Sequence, residues 1–477
     1  MEPSRFFEIA NSFTDKADKT IMKNTAPIQQ ERKFDIQELF FSTTNEKGRI
    51  EFGNDVFIKI SGYTKEELVG APHNIIRHPD MPKLVFKILW ETIQSGKIIA
   101  AYVKNMAKDG SFYWVMAVVF PVGDRYLSVR LKPTSKYRSI IEDAYKQILD
   151  VEKKDGVETA QSFLNTLLDS LGFKNYEEFS VKALLAEIVA RDNELKKLHA
   201  SESDQALTSE LLRMISAESK AASKYTEEIF VRISELEKSN SIFSGQTKSL
   251  NEKFYDFQLL SLNIQVFSSK IGEQGRSLSV IAQNFNALVS NVSEHLEQFA
   301  VDAKKIDEAN LIFTKQICAL KLLTDMVDFF VQETLHATNP EESQKRINDL
   351  SEISTTFTSL ARALTNTFSA TRLETFKLIE KFGELNKDTR KLVNGIELVS
   401  QIGYIESARI TSQEVDFKHS IDTMKKFSKI LRDSLHVINQ NTGSILENLS
   451  TFDAHIEECF QSVNKIFSYS LEQRKDM

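Results

Sequence analysis

Seven of the eight prolines, at positions 3, 27, 72, 79, 82, 121 and 133, fall in the first 133 residues of a 477-residue chain, as do both tryptophans, Trp90 and Trp114. Glycine thins out after Gly172. Proline removes a backbone donor and clashes inside a helix, so the turn-rich part of the fold is confined to the front and the rest is free to form long helices. Beyond residue 200 the apolar residues step in heptads: Ile229, Ile233, Leu236, Asn240, Phe243, Thr247, Leu250, Phe254, Phe257, Ser261 and Ile264 alternate spacings of four and three. That is the seam of a coiled coil. The polar members Asn240, Thr247 and Ser261 weaken it, although a buried asparagine can fix register at a cost in stability.

The front obeys a different period. Leu39 to Thr44 and Ile50 to Phe52 predict strands around a turn at Asn45 to Gly48, and Asn54 to Ser61 predicts a short helix. Met81 to Ser95 predicts a helix with Pro82 in its first turn. Ile98 to Met106, Ser111 to Val122 and Arg125 to Leu131 predict three more strands, the first two joined at Lys108-Asp109-Gly110-Ser111, where Asp-Gly tolerates positive φ. The result is an α+β module, an antiparallel sheet with helices on one face. Residues 136–200 read as amphipathic connector helices, with Leu171-Gly172-Phe173 as a helix stop.

The helical half contains a weak internal duplication. A shift of 139 residues lays Leu259 to Ile271 on Leu398 to Ile410, matching Leu259 with Leu398, Ser261 with Ser400, Ser268 with Ser407 and Ile271 with Ile410. Gly272-Glu273-Gln274-Gly275 is a reversal point, and Thr338-Asn339-Pro340-Glu341-Glu342 is a helix start with a cap, a first-turn proline and first-turn acids. Two helical hairpins are expected, residues 201–337 and 338–477, with arms about 90 to 105 Å long at 1.5 Å per residue. Stacked together they give a four-helix bundle within one chain. Residues 1–35 are expected to form an N-terminal cap, helical or flexible, and 36–135 the α+β domain.

Composition narrows the function. Hydrophobic residues make up 41% and charged residues 27% of the chain, and a net charge of -7 provides no basic footprint for nucleic acid. Residues 1–32 lack the basic start and apolar core of a secretory signal, and no stretch approaches the roughly 18 apolar residues of a membrane span, so a cytoplasmic location is expected. Cys318 and Cys459 stand far apart, with no zinc or disulfide spacing. The seven glycines after Gly172 are too dispersed to cradle phosphates, and the histidines beyond the front domain have no metal or catalytic-base pattern, so no enzyme is expected.

The stretch His73 to Lys83 (HNIIRHPDMPK), with Ser61 to Gly70 (SGYTKEELVG) and Lys104-Asn105, resembles the PAS domain of bacterial aerotaxis receptors over residues 38–132. That resemblance implies a noncovalently held FAD that reports redox state. It places Asn54, Arg77, His78 and Asp80 at the flavin site, with Phe86 and Trp90 as apolar walls. Arg77 has the geometry to fork to a phosphate or a flavin carbonyl. The family carries a tryptophan where this chain has Ile99. A haem ligated by His73 or His78, or a PAS domain without a cofactor, are the alternatives left open.

A fainter resemblance runs from Leu259 to Arg276 (LLSLNIQVFSSKIGEQGR), which is similar to the cytoplasmic hairpin tip of methyl-accepting chemotaxis proteins. It implies contacts with a chemotaxis histidine kinase and its coupling protein through Asn263, Glu273, Gln274 and Arg276, and through Glu406 and Arg409 in the second copy. Phe267 and Lys270 replace the family's Glu and Arg. In those receptors two hairpins pair as a dimer, so this chain is expected to be a monomeric pseudo-dimer or a homodimer. The resulting expectation is an energy or redox sensor feeding a chemotaxis pathway; the alternative is a cofactor-free adaptor that binds a receptor or kinase.

Overall fold

The computed structural model describes residues 26–198, 210–270, 276–335, 340–407 and 415–475. Most of the expected N-terminal cap and both hairpin reversals, 271–275 and 408–414, lie outside the described residues. The chain divides into two compact units, one taking Met1–Glu227, Thr314–Asn366 and Ile456–Met477, the other Glu228–Phe313 and Thr367–His455.

In the first unit, strands β1 (Phe40–Asn45), β2 (Ile50–Gly53), β3 (Ile99–Met106), β4 (Phe112–Val122) and β5 (Arg125–Leu131) form an antiparallel sheet in the order β2-β1-β5-β4-β3. The expected strands hold to within a residue. Between β2 and β3 run helices α1 (Asp55–Ser61) and α2 (Lys65–Leu68), a 3-10 turn (His73–Ile76) and α3 (Lys83–Gln94). Asn54 caps α1 and Gly62, at φ 72°, ends it. Thr64 and Glu67 close a capping box on α2. Pro82 sits one position earlier than expected: its ψ of 139° is extended, so it caps α3 and the helix starts at Lys83. Residues 26–32 are extended rather than helical, pairing with the β3–β4 turn through Ile28 N to Gly110 O and Arg32 N to Phe112 O.

Strand register decides which side chains share a face. Phe40, Arg130, Ala117 and Ala101 lie side by side across β1, β5, β4 and β3, and Ser42, Ser128, Val119 and Ile99 form the next row on the same face. This inner face meets α1 through Phe40 and Phe57, and meets α3 through a cluster of Ile93, Ile99 and Val119 with Trp90 and Tyr126.

The connector comprises α4 (Tyr137–Asp155), α5 (Val157–Ser170) and α6 (Tyr176–Leu198), of which α4 and α6 reach the sheet. Tyr145 Oη donates to Tyr102 O at 2.9 Å, and Ser180 Oγ donates to Ala100 O at 2.7 Å. Helix α5 ends as expected, with Gly172 at φ 82° and Phe173 N returning to Leu168 O, the Schellman pattern.

Four long helices follow: α7 (Glu210–Lys270, 61 residues), α8 (Arg276–Leu335, 60), α9 (Pro340–Ser407, 68) and α10 (Val415–Lys475, 61). Pro340 opens α9, where the sequence placed a helix start. In the first unit, Phe41 on the outer sheet face packs against Phe330 of α8 and Phe357 of α9, and Phe357 reaches Phe467 of α10. In the second unit all four helices share a phenylalanine-rich core. Phe382 of α9 packs on Phe243 of α7 and Phe299 of α8, while Phe427 of α10 stacks on Phe257 of α7 at 4.2 Å. Every member of the expected heptad seam is buried except Asn240, whose Nδ2 donates to Asp307 Oδ1 at 2.8 Å.

Candidate functional site

The six residues expected at a ligand site do not form one constellation. Asn54 is buried and engaged by backbone: its Oδ1 accepts from Phe41 N and Phe57 N, and its Nδ2 donates to Leu39 O. Arg77, His78, Asp80 and Phe86 gather around the loop that leads into α3. There Arg77 Nη2 donates to Met81 O at 3.0 Å while its guanidinium lies 4.4 Å from the Phe86 ring centre. The backbone of Arg77 bridges Asn105, at the β3 edge. His78 Nδ1 accepts from Asp80 N, and Asp80 Oδ2 is paired with Lys104 Nζ at 2.6 Å. Burial alone would raise the Asp80 carboxyl, but Lys104, with His78 and Lys153, holds it below the ordinary range. Trp90 lies elsewhere on α3, edge-on to Tyr126 and over Gly48, where φ is 69° and an added Cβ would stand 2.9 Å from the indole.

A second polar group, not singled out by the motif, occupies the inner face. Arg130 is 2% exposed, its Nη2 donating to Ser42 Oγ at 3.1 Å and to His73 Nε2 at 2.5 Å, its Nη1 to Ser128 O at 3.3 Å. The guanidinium lies 5.2 Å from the ring centre of Phe57 and 5.8 Å from that of Phe40. Burial lowers Arg130 to about 10, which leaves it protonated at neutral pH. Burial and the adjacent Arg130 charge push His73 down to about 3, so it is a neutral acceptor. Tyr113, fully buried on the same face, packs edge-on to Phe40, and its hydroxyl has no hydrogen-bond partner among the described residues. Burial raises this phenol, so it stays protonated. The signal for this group was period-2 alternation: Arg130 and Ser128 must share a face of β5.

Where the sheet leaves for the connector, one buried carboxylate holds the chain. Glu187 of α6 accepts from Tyr102 Oη (2.6 Å), Thr134 N (2.6 Å), Ser135 N (2.8 Å) and Ser135 Oγ (2.7 Å). One turn further, buried Arg191 donates from Nε to Ile36 O at 3.1 Å and from Nη1 to Asp325 Oδ2 of α8 at 2.8 Å. Asp325 also pairs with Lys321 at 2.6 Å. Glu152 of α4 accepts from Lys83 N and Leu84 N, capping α3 from the connector. The sheet exit, the chain entering β1 and helix α8 are therefore tied to one connector helix.

Of the candidate partner-binding residues, Asn263 and Arg276 are exposed and Glu406 is half-buried, accepting a 3.4 Å bond from Ser277 Oγ. Glu273, Gln274 and Arg409 lie outside the described residues. Leu259 and Val266, and their counterparts Leu398 and Ile405 in the second copy, are exposed apolar residues. Among the described residues there is no cluster of His, Cys, Asp and Glu that could hold a metal ion, and no helix is long and apolar enough to cross a membrane.

Comparison with known proteins identifies the fold of the front domain. Residues 50–129 match the family described as PAS fold. The chain is 40% identical over 112 residues to the aerotaxis receptor of Escherichia coli, covering 22% of each protein. It is 21% identical over 256 residues to the biofilm dispersion protein BdlA of Pseudomonas aeruginosa, covering 53% of this chain and 52% of that protein. Among solved structures, the light-state LOV domain of the blue-light photoreceptor Aureochrome1 aligns at 20% identity, covering 22% of this chain and 88% of that one with a TM-score of 0.20. The chain thus spans about a fifth of the one curated relative and about half of the other. Its N-terminal sheet and helices are a PAS domain, and over that region the chain is related to the aerotaxis receptor.

Proposed function

We propose that this chain is a non-catalytic redox or oxygen sensor for energy taxis, holding a flavin in its PAS domain and passing the signal through its helices to a chemotaxis-type pathway. The observation that carries the reading is the 40% identity to the aerotaxis receptor over the PAS region. The residues fit such a group: the inner face combines the small side chains Ala101, Ala117, Ser42 and Ser128 with a buried cation and an orphaned phenol. Arg77, His78, Asp80 and Phe86 would border the site from the loop before α3, with Asn54 and Trp90 shaping its walls. His73 Nε2 already accepts from Arg130 and His78 Nδ1 from Asp80 N, which disfavours haem ligation through either.

A bound flavin would supply reversible electron transfer. The chain's own residues supply the relay. Arg130 on the inner face and Leu131 on the outer are neighbours on β5, and three residues later the strand exit enters the grip of Glu187. A displacement of β5 is thereby felt by α6, whose Arg191 holds Asp325 on α8. The proposed receiver is a chemotaxis histidine kinase with its coupling protein, or a receptor, engaging the hairpin tips near Asn263, Arg276 and Glu406. A specific observation favours a second reading, a cofactor-free adaptor: Asn54, Arg77, His78 and Asp80 all have protein partners already.

The absorption spectrum of the purified full chain, in air and after chemical reduction, separates the two. The sensor reading expects a yellow protein whose blue and near-ultraviolet bands bleach on reduction and return with oxygen. A colourless protein that cannot be reconstituted with FAD, yet still captures a receptor or kinase, would leave only the adaptor.

A further inference from the structure

The inner face of the sheet carries a buried charge that no opposite charge among the described residues balances. Arg130 is 2% exposed, and no carboxylate among the described residues pairs with it. Its protein acceptors are all neutral: a serine hydroxyl, a backbone carbonyl and the His73 imidazole. A guanidinium has five N–H donors, so two of Arg130's remain without a protein acceptor among the described residues. Taking a charge out of water is costly unless it is paired and its donors are satisfied. The stacking on Phe57 and Phe40 offsets only part of that cost.

Tyr113 adds an independent mark. Its hydroxyl is fully buried and, among the described residues, without a hydrogen-bond partner, on the face that carries Arg130, and both side chains lie against the Phe40 ring. Buried hydroxyls are rarely left unmade. Beside them, the register sets Ala117 and Ala101 next to Arg130, so the sheet offers small side chains where a flat group would lie.

We propose that Arg130 and Tyr113 bind the acceptor-bearing edge of a planar ligand, donating to its carbonyl oxygens or anionic ring atoms, and that Arg130 is the cation that selects this ligand class. This deepens the flavin reading and rests on it, since the flavin's pyrimidine ring presents such an edge; the same chemistry would take another planar ligand with carbonyl or anionic acceptors. His73 acts as a positioning residue. Neutral and stacked 6.2 Å from Phe57, it fixes the guanidinium without cancelling its charge.

The test compares full-length wild type, Arg130→Met and Tyr113→Phe. Small molecules released by denaturation are identified by mass spectrometry, and the stripped proteins are titrated with FAD, FMN and riboflavin. Loss of one charged hydrogen bond predicts that Arg130→Met weakens all three flavins by about tenfold or more. Equal loss for riboflavin, which has no phosphate, places Arg130 at the ring. Tyr113→Phe is expected to weaken them several-fold while leaving the melting temperature of the stripped protein unchanged or higher, because an orphaned buried hydroxyl is removed.

If both variants bind the flavins as wild type does, the inference is overturned while the flavin reading stands. If Arg130→Met weakens FAD and FMN but not riboflavin, the ring assignment is likewise overturned. A wild type that rejects flavins but releases another planar acceptor ligand, lost in Arg130→Met, upholds the inference and ends the flavin reading. A wild type that releases nothing and binds none of the probes overturns both. Should Arg130→Met fail to fold, Tyr113→Phe decides alone.

Discussion

Asn54 illustrates how much one side chain can hold. Its amide caps α1 through Phe57 N, accepts from Phe41 N and donates to Leu39 O, joining the first helix to the first strand. Replacing it with alanine loses the cap and orphans buried backbone groups. Asn54→Ala should therefore lower the unfolding free energy by about 2 kcal/mol or more, read from urea denaturation of the ligand-free protein. A change within a few tenths of a kcal/mol would mean that the cap is replaced by water or relaxation. The residue type and its place before a helix were legible in the sequence. Its bonds to Leu39 O and Phe41 N were not, because those two residues are brought to it only by the fold. Arg130 was hidden for a related reason: a lone arginine in a strand reads as solvent-facing, and its partners Ser42 and His73 lie far away in the chain.

At the scale of the element, legibility follows periodicity. The seam from Ile229 to Ile264 could be read because long helices bury one stripe at fixed steps. The turn at Asp109-Gly110 was equally plain, with Gly110 at φ 89°. Helix α6 resisted such reading because it is buried on several sides, at Phe179, Val181, Leu184, Leu185 and Ile188, so its charges could not be assigned to a surface. Two of those charges are the joint. Arg191→Met leaves Asp325 buried with only Lys321, among the described residues, to compensate, which should cost about 3 kcal/mol. The double substitution Arg191→Met with Asp325→Leu should recover much of it, and strictly additive losses in the double-mutant cycle would deny the coupling.

For the molecule as a whole, two properties follow from the helices. In the first unit, Glu333 of α8 stands 3.2 Å from Arg346 of α9, near Asp55 and Glu38. Burial outweighs the Arg346 attraction, and the two acids reinforce it, pushing Glu333 up to about 7. Because the folded state holds its proton more tightly than the unfolded chain, this contribution to stability is complete below about 4.5 and is lost as pH rises through about 7. Its size is about 3 kcal/mol. Glu333→Gln should flatten the fall in stability between pH 5 and 8 (about that range), and an identical pH profile in wild type and variant would contradict the assignment. The shared core of α7, α8, α9 and α10 in the second unit also predicts that one chain completes its own four-helix bundle. Light scattering should then return the mass of a single chain at low concentration, whereas an obligate dimer would mean that the helices pair between chains.

In the proposed relay, the state of the PAS core reaches the long helices through the joint held by Glu187 and Arg191. Hydrogen exchange on the protein reconstituted with the proposed flavin, compared between its oxidised and reduced forms, reads this coupling. Amide protection should change together in the strand exit at Lys132–Tyr137 and in α6 around Glu187–Asp192. A change confined to the strands of the inner face, with both joint segments exchanging alike in the two states, would contradict it.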